Sequence, residues 1–156
     1  MLDRTFFSET LGRGIREGGE IVGFIKALAE VRDAAASATR IVSRQRRVCA
    51  DHNLLWTPPV RGSIVRVARD VGMSSWPMNG LRHPGEGNTC GWYLWAGEGE
   101  LSRDADYFQP VHVEHLHERC PQVLPYLALP PGWRFLIAPG YCDAWDDPDL
   151  LHVPSG

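Results

Sequence analysis

Residues 76–95, WPMNGLRHPGEGNTCGWYLW, gather three tryptophans, four glycines and two prolines around the pair Arg82-His83. Asn79-Gly80 predicts a tight turn at positive φ, with Pro77 and Pro84 stiffening its flanks. Gly91 then admits the chain to a strand, GWYLWAG, on which Trp92 and Trp95 lie three apart and so face opposite sides of a sheet. This is scaffold chemistry, and it sets Arg82 and His83 at a loop tip. There Arg82 either pairs internally with Glu98 or Asp104 or reaches a partner's carboxylate bidentately.

Upstream, SIVRVARD is β-branched and alternating and predicts a strand. Before it, TPPVRG ends a helix, because proline removes a donor and biases its predecessor to extended geometry. That helix runs from Glu20 to about His52, since Ile21, Phe24, Ile25, Leu28, Val31, Ala35, Ala38, Ile41 and Val42 recur at spacings of mostly three and four. A break near Ser37 is compatible with the pattern. The first twenty residues hold four glycines without a sustained period and are expected to be loosely ordered or docked.

Downstream, PVHVEHLHERC predicts a short helix with Pro110 near its start, and Pro121 stops or restarts it. LPPGWRFLIA gives a tight turn into a strand, where Trp133 is expected to lock the turn as a core residue. PGYCDAWDDPDLL closes the chain as an acidic turn or edge. The elements add up to α+β: a long N-terminal helix plus a small, mostly antiparallel sheet with one or two short helices.

The 156 residues suit a modest core, and 44% hydrophobic against 22% charged residues is ordinary for a globular domain. No apolar stretch is long enough for a membrane span and no signal peptide precedes the first charges, so the expected compartment is cytoplasmic. Cys49, Cys90, Cys120 and Cys142 form no CxxC pair and are expected as reduced thiols, mostly buried. The net charge is −3, yet residues 1–70 carry 12 Lys/Arg against 8 Asp/Glu and residues 71–156 carry 4 against 11. An acidic half disfavours nucleic acid and favours a basic protein surface. The basic run RIVSRQRRV, with apolar residues interleaved at helical spacing, belongs to the wet face of a helix.

Catalytic and metal chemistry find little purchase. On a helix His112 and His115 share a face, as do His117 and Cys120, but the two pairs do not share one, and zinc would need a further ligand such as His83 or Cys142. Cys90 or Cys142 could in principle pair with His83 or His115, but such residues occur in almost any chain this long, and no nucleophile elbow, Walker loop or dinucleotide fingerprint is present. The expectation is therefore no catalytic, cofactor or metal residues. The rival is a small cytoplasmic enzyme with a Cys/His or metal centre. Trp145, flanked by Asp143, Asp146 and Asp147, has the character of a binding anchor with an electrostatic rim.

PMNGLRHP, then GWYLWAGE, DADYFQPVHVEHL, LPPGWRFLIA and DAWDD together resemble the bacterial immunity-protein domain numbered thirty-three in the polymorphic-toxin classification, over about residues 46–152. The resemblance implies an α+β domain, encoded beside a secreted toxin, that protects its producer by binding and blocking that toxin; it carries over no catalytic residue. Cys142 stands where the pattern has an acidic residue, and residues 1–45 lie outside it. The expected division is thus an N-terminal extension, 1–45, and an immunity-protein-like domain, 46–156. The expected partner is a cognate toxin with a basic surface, not nucleic acid or membrane. Expected contacts are Arg82, His83, Glu98, Asp104, Asp106, Asp143, Trp145, Asp146 and Asp147. The N-terminal helix also offers a homodimer contact, the basis of a third reading as an adaptor.

Overall fold

In a computed structural model the backbone is described over residues 4–152 and the side chains over 19–152. The chain forms two compact units, Met1–Arg40 and Ile41–Gly156. Helix α1 spans Arg4–Asp51 without a break at Ser37 and starts far upstream of the expected Glu20. The glycines of the first twenty residues lower helix propensity but do not end the helix, as proline would. In the first unit Ile21, Phe24, Ile25, Leu28 and Val31 are each more than half exposed.

The second unit is α+β. A six-stranded, mostly antiparallel sheet runs in the order β4-β1-β3-β2-β5-β6, with β1 (Ile64–Ala68), β2 (Met78–Arg82), β3 (Thr89–Ala96), β4 (Phe108–His112), β5 (Trp133–Ala138) and β6 (Tyr141–Asp146). Only β1 and β3 are parallel. A short helix, α2 (Leu116–Arg119), lies between 3-10 turns at Val113–His115 and Pro121–Tyr126, and a third such turn is Pro148–Leu151.

Strand alternation gives the sheet one sealed face. Val65, Val67, Met78, Trp92, Leu94, Phe135 and Ile137 are buried there, with Leu116, Val123, Leu127 and Leu129 completing the core. Within this unit the last turns of α1 are anchored by polar contacts: Gln45 Nε2 donates to the Leu124 carbonyl at 2.9 Å and the Cys49 thiol to that of Ala128 at 3.3 Å. The opposite face carries Arg66, Leu81, Tyr93, Trp95, Arg134 and Leu136, all half-buried.

Two expected elements are corrected. Asn79-Gly80 is not a turn but the middle of β2, paired with Trp95 and Leu94 on one side and Leu136 and Phe135 on the other. Gly80 is required by packing: a Cβ there would lie 2.2 Å from Cε1 of Phe135, so the ring occupies the place of the side chain. PVH, Pro110 to His112, is likewise not helical but strand. Pro110 sits in β4, an edge strand, where a missing N–H costs no ladder hydrogen bond, and the helix begins only at Leu116. The turn between β2 and β3 falls instead at Gly87-Asn88, with Gly87 at φ 59°, while Gly91, φ 84°, lies within β3, where a Cβ would strike the His83 carbonyl.

Trp92 and Trp95 do face opposite sides, and Trp92 is sealed, its Nε1 donating to the Leu127 carbonyl at 3.0 Å. Trp133, expected in the core, is only partly buried and packs against the core edge-on to His52. Cys49, Cys90 and Cys120 are buried free thiols, and Cys142 is exposed.

Candidate functional site

Arg82 is not at a loop tip. It closes β2 on the inner side of the sheet, 6% exposed, because the strand's alternation places it with Met78 and Gly80. Its Nε donates to the Cys90 carbonyl at 3.1 Å, and its Nη1 to the carbonyls of Thr57 and Leu129, each at 2.6 Å. The expected pairing with Glu98 or Asp104 does not form; Asp104 pairs with Arg69 at 2.8 Å. Burial pushes the Arg82 guanidinium below its ordinary pKa, and burial likewise raises that of the neighbouring Cys49 thiol.

His83 is half-buried. Its Nδ1 lies 2.9 Å from the Leu150 carbonyl and its ring meets Tyr93 edge-on, tying the C-terminal 3-10 turn to the sheet.

The remaining expected contacts fall in two groups. Glu98, Asp104 and Asp106 are exposed in the segment between β3 and β4, at the end of the sheet where Ala96 pairs with Met78. Asp143, Trp145, Asp146 and Asp147 lie on or just after β6, the last strand of the sheet. The fold therefore does not gather all nine into one patch.

The β6 group is the better-formed surface. Ala144 is the only buried residue of the strand, so Tyr141, Asp143 and Trp145 point to the opposite, half-open face. There the register sets Trp145 beside Arg134 and Asp143 beside Leu136. Tyr141 and Trp145 are 53% and 40% exposed, unusually open for large aromatic rings. Arg134 is neutralised by Asp147, its Nε 2.5 Å from Oδ2. Among the described residues neither Asp143 nor Asp146 makes an ion pair, so both charges remain available.

Tyr141 was missed by sequence reasoning, although its two-residue spacing from Asp143 and Trp145 is the strand signal that puts the three on one face. On the other side of β6, the Tyr126 phenol is pushed up to about 12, first by burial and then by its hydrogen bond with Cys142.

The histidine cluster is dispersed. His112 and His115 have ring centroids 6.2 Å apart, His117 Nδ1 bonds the Glu114 carbonyl, and Cys120 is sealed in the core, its thiol pushed up to about 11 by burial. Among the described residues no three His, Cys, Asp or Glu side chains converge as a metal site would require, and no helix is long and apolar enough to cross a membrane.

A family model described as the Imm33-like domain matches residues 44–147. No curated protein and no solved structure matches the chain.

Proposed function

The chain belongs to the Imm33-like domain family, and from that premise we propose that it is an immunity protein that neutralises a cognate bacterial toxin by stoichiometric binding. It acts in the cytoplasm, without catalysis, by covering or distorting the toxin's active site. The contact surface is the outer side of β6 with the adjoining face of β5. Trp145 and Tyr141 are its aromatic anchors and Asp143, on the same side, is the charge beside them that meets a basic toxin surface; Asp146, one residue on from Trp145, projects from the opposite side of the strand and adds its charge at the rim. The observation that carries this reading is the conjunction on one edge strand of two exposed large aromatics with two unpaired carboxylates. Aromatic anchors supply most of the energy in protein interfaces, and like-signed rims mainly steer association.

The edge position helps. An outermost strand has backbone groups on one side without a ladder partner, so a toxin segment can add main-chain hydrogen bonds to side-chain contacts. Arg82 and His83 are not contacts in this reading, because Arg82 is buried and His83 is tied through Nδ1 to the Leu150 carbonyl. The acidic residues of the β3–β4 connection remain a secondary rim, with Asp104 tied to Arg69.

The test is the charge reversal Asp143→Lys with Asp146→Lys, measured against the toxic protein encoded beside this chain. Exposed carboxylates without partners add little to folding, so the melting temperature should move by no more than a few degrees. The association rate should fall at least tenfold at low salt and lose most of its salt dependence. Unchanged rates in the folded double variant would move the interface elsewhere.

A second copy of the chain is a further proposed partner, for the first unit alone. Ile21, Phe24, Leu28, Val31, Ala35 and Ala38 repeat at alternating spacings of three and four, which is the seam of a two-stranded coiled coil, and all are exposed. Analytical ultracentrifugation should give a dimer that Leu28→Glu dissociates; a monomeric wild type would remove this partner.

A further inference from the structure

Arg82 presents an electrostatic problem that its own domain solves only in part. A buried charge is tolerated when it is paired or fully hydrogen-bonded. Among the described residues no carboxylate lies within ion-pairing reach of Arg82. Carbonyl oxygens from Thr57, Cys90 and Leu129 occupy Nε and Nη1, which fixes the guanidinium plane. Nη2, with two N–H groups, has no partner among the described residues.

Nη2 is not sealed off, however: among the described residues the fully buried side-chain polar atom that lacks a partner is Oε1 of Gln122. Arg82 opens instead on a cavity of about 490 Å³, lined also by Pro58, Val60, Arg61, Asn88 and Cys90. That volume is in the range of small-molecule sites.

The charge of this cavity selects its ligand. No acidic residue lines it. Arg61 at the rim is almost fully exposed, with its Nε 3.7 Å from Oε1 of Glu114, so its charge is screened by solvent and by that carboxylate rather than held in the cavity. What remains without an anionic partner is the one positive charge of Arg82, which the Trp92 ring, 5.8 Å from the guanidinium carbon, and the carbonyls answer only in part. A dianion such as phosphate would bring an excess negative charge and more acceptor lone pairs than two N–H groups can satisfy. A carboxylate matches both the single charge and the two donors. Pro58, Val60 and Cys90 provide a wall on which an apolar body can lie.

We propose that this cavity binds a small monocarboxylic acid, its carboxylate on Nη2 of Arg82 and its apolar body against Pro58 and Val60. The site is separate from the β6 surface, and its occupancy would rigidify the junction of β2, the Thr57–Ser63 segment and Leu129, all of which Arg82 ties together.

Nuclear magnetic resonance on the unaltered full chain tests this without a variant that risks unfolding. The arginine side-chain nitrogen signals are followed during titration with propionate and benzoate, with propionamide as the neutral analogue, sodium chloride at matched ionic strength, and inorganic phosphate. The Arg82 signal should shift saturably with the carboxylates, at least tenfold more weakly with phosphate, and not at all with propionamide or chloride. Benzoate protons should show nuclear Overhauser contacts with Val60 methyls. Three results would each overturn the proposal: an Arg82 signal indifferent to carboxylate at 50 mM (roughly the weakest affinity worth calling a site), a linear shift shared by exposed arginines, or saturation without contacts to Pro58 or Val60.

Discussion

The two faces of one sheet put the same strands to different uses. On the inner face Val67, Met78, Trp92, Leu94 and Phe135 are at most 1% exposed. On the outer face the alternate residues Arg66, Tyr93, Trp95, Arg134 and Trp145 remain partly open, and Asp143 keeps an unanswered charge. Fold energy is thus concentrated on one side of the strands. The other side can vary its chemistry at little cost to folding, and the tryptophans divide accordingly between the sealed Trp92 and the open Trp145, the anchor proposed above.

The sharpest way to break that division is at Trp92. Its replacement by alanine removes a sealed indole and a hydrogen bond to the Leu127 carbonyl and should cost about 3–5 kcal/mol, a large part of a typical domain's stability. Trp145→Ala, on the outer face, should cost less than about 1 kcal/mol. Denaturant unfolding of the two variants reads both, and equal losses would mean that the faces are not energetically distinct.

A smaller effect is expected at Gly80. Alanine there must displace the Phe135 ring, which is 1% exposed and has little room to move, so overpacking should cost about 1–3 kcal/mol. Phe135→Leu in the same chain should recover part of the loss. If Gly80→Ala alone is neutral, the ring does not hold the place described.

The smallest effect is in pH. Burial raises the Cys120 thiol from 9.0 to about 11. Below pH 9 the thiol is protonated whether the chain is folded or not. Above that the unfolded chain ionises first, so this contribution to stability is lost as pH rises from 9 to about 11. The melting temperature should fall over that window, and less steeply in Cys120→Ala.

Much of this arrangement was legible in the residues. SIVRVARD, GWYLWAG and WRFLIA alternate strongly enough to be read as strands, and the opposite facing of Trp92 and Trp95 follows from their spacing alone. The family resemblance, too, rested on motifs that lie within the matched region. The failures share a cause, which is that a local signal was outweighed by a distant neighbour. Asn79-Gly80 has the dipeptide of a turn, but the glycine is set by Phe135, fifty-five residues on. Pro110 suggested a helix start because nothing local says that its strand will be an edge. Arg82 looked like a surface residue because charge predicts exposure. Its position in the alternation with Met78 and Gly80 was the signal that placed it inside, and only recognition of β2 makes that alternation visible. The acidic residues around Trp145 stand out by composition alone, whereas the placing of Tyr141 on the same side as Asp143 and Trp145 requires the strand.

Oxidative footprinting of the tryptophans and tyrosines, with and without the toxin partner proposed above, tests the β6 surface most directly. In the free protein Trp145 and Tyr141 should be oxidised readily and Trp92 hardly at all. In the complex the account predicts that Trp145 and Tyr141 become protected at least severalfold while Trp92 is unchanged. Formation of a complex in which Trp145 and Tyr141 are oxidised as fast as in the free protein would contradict it.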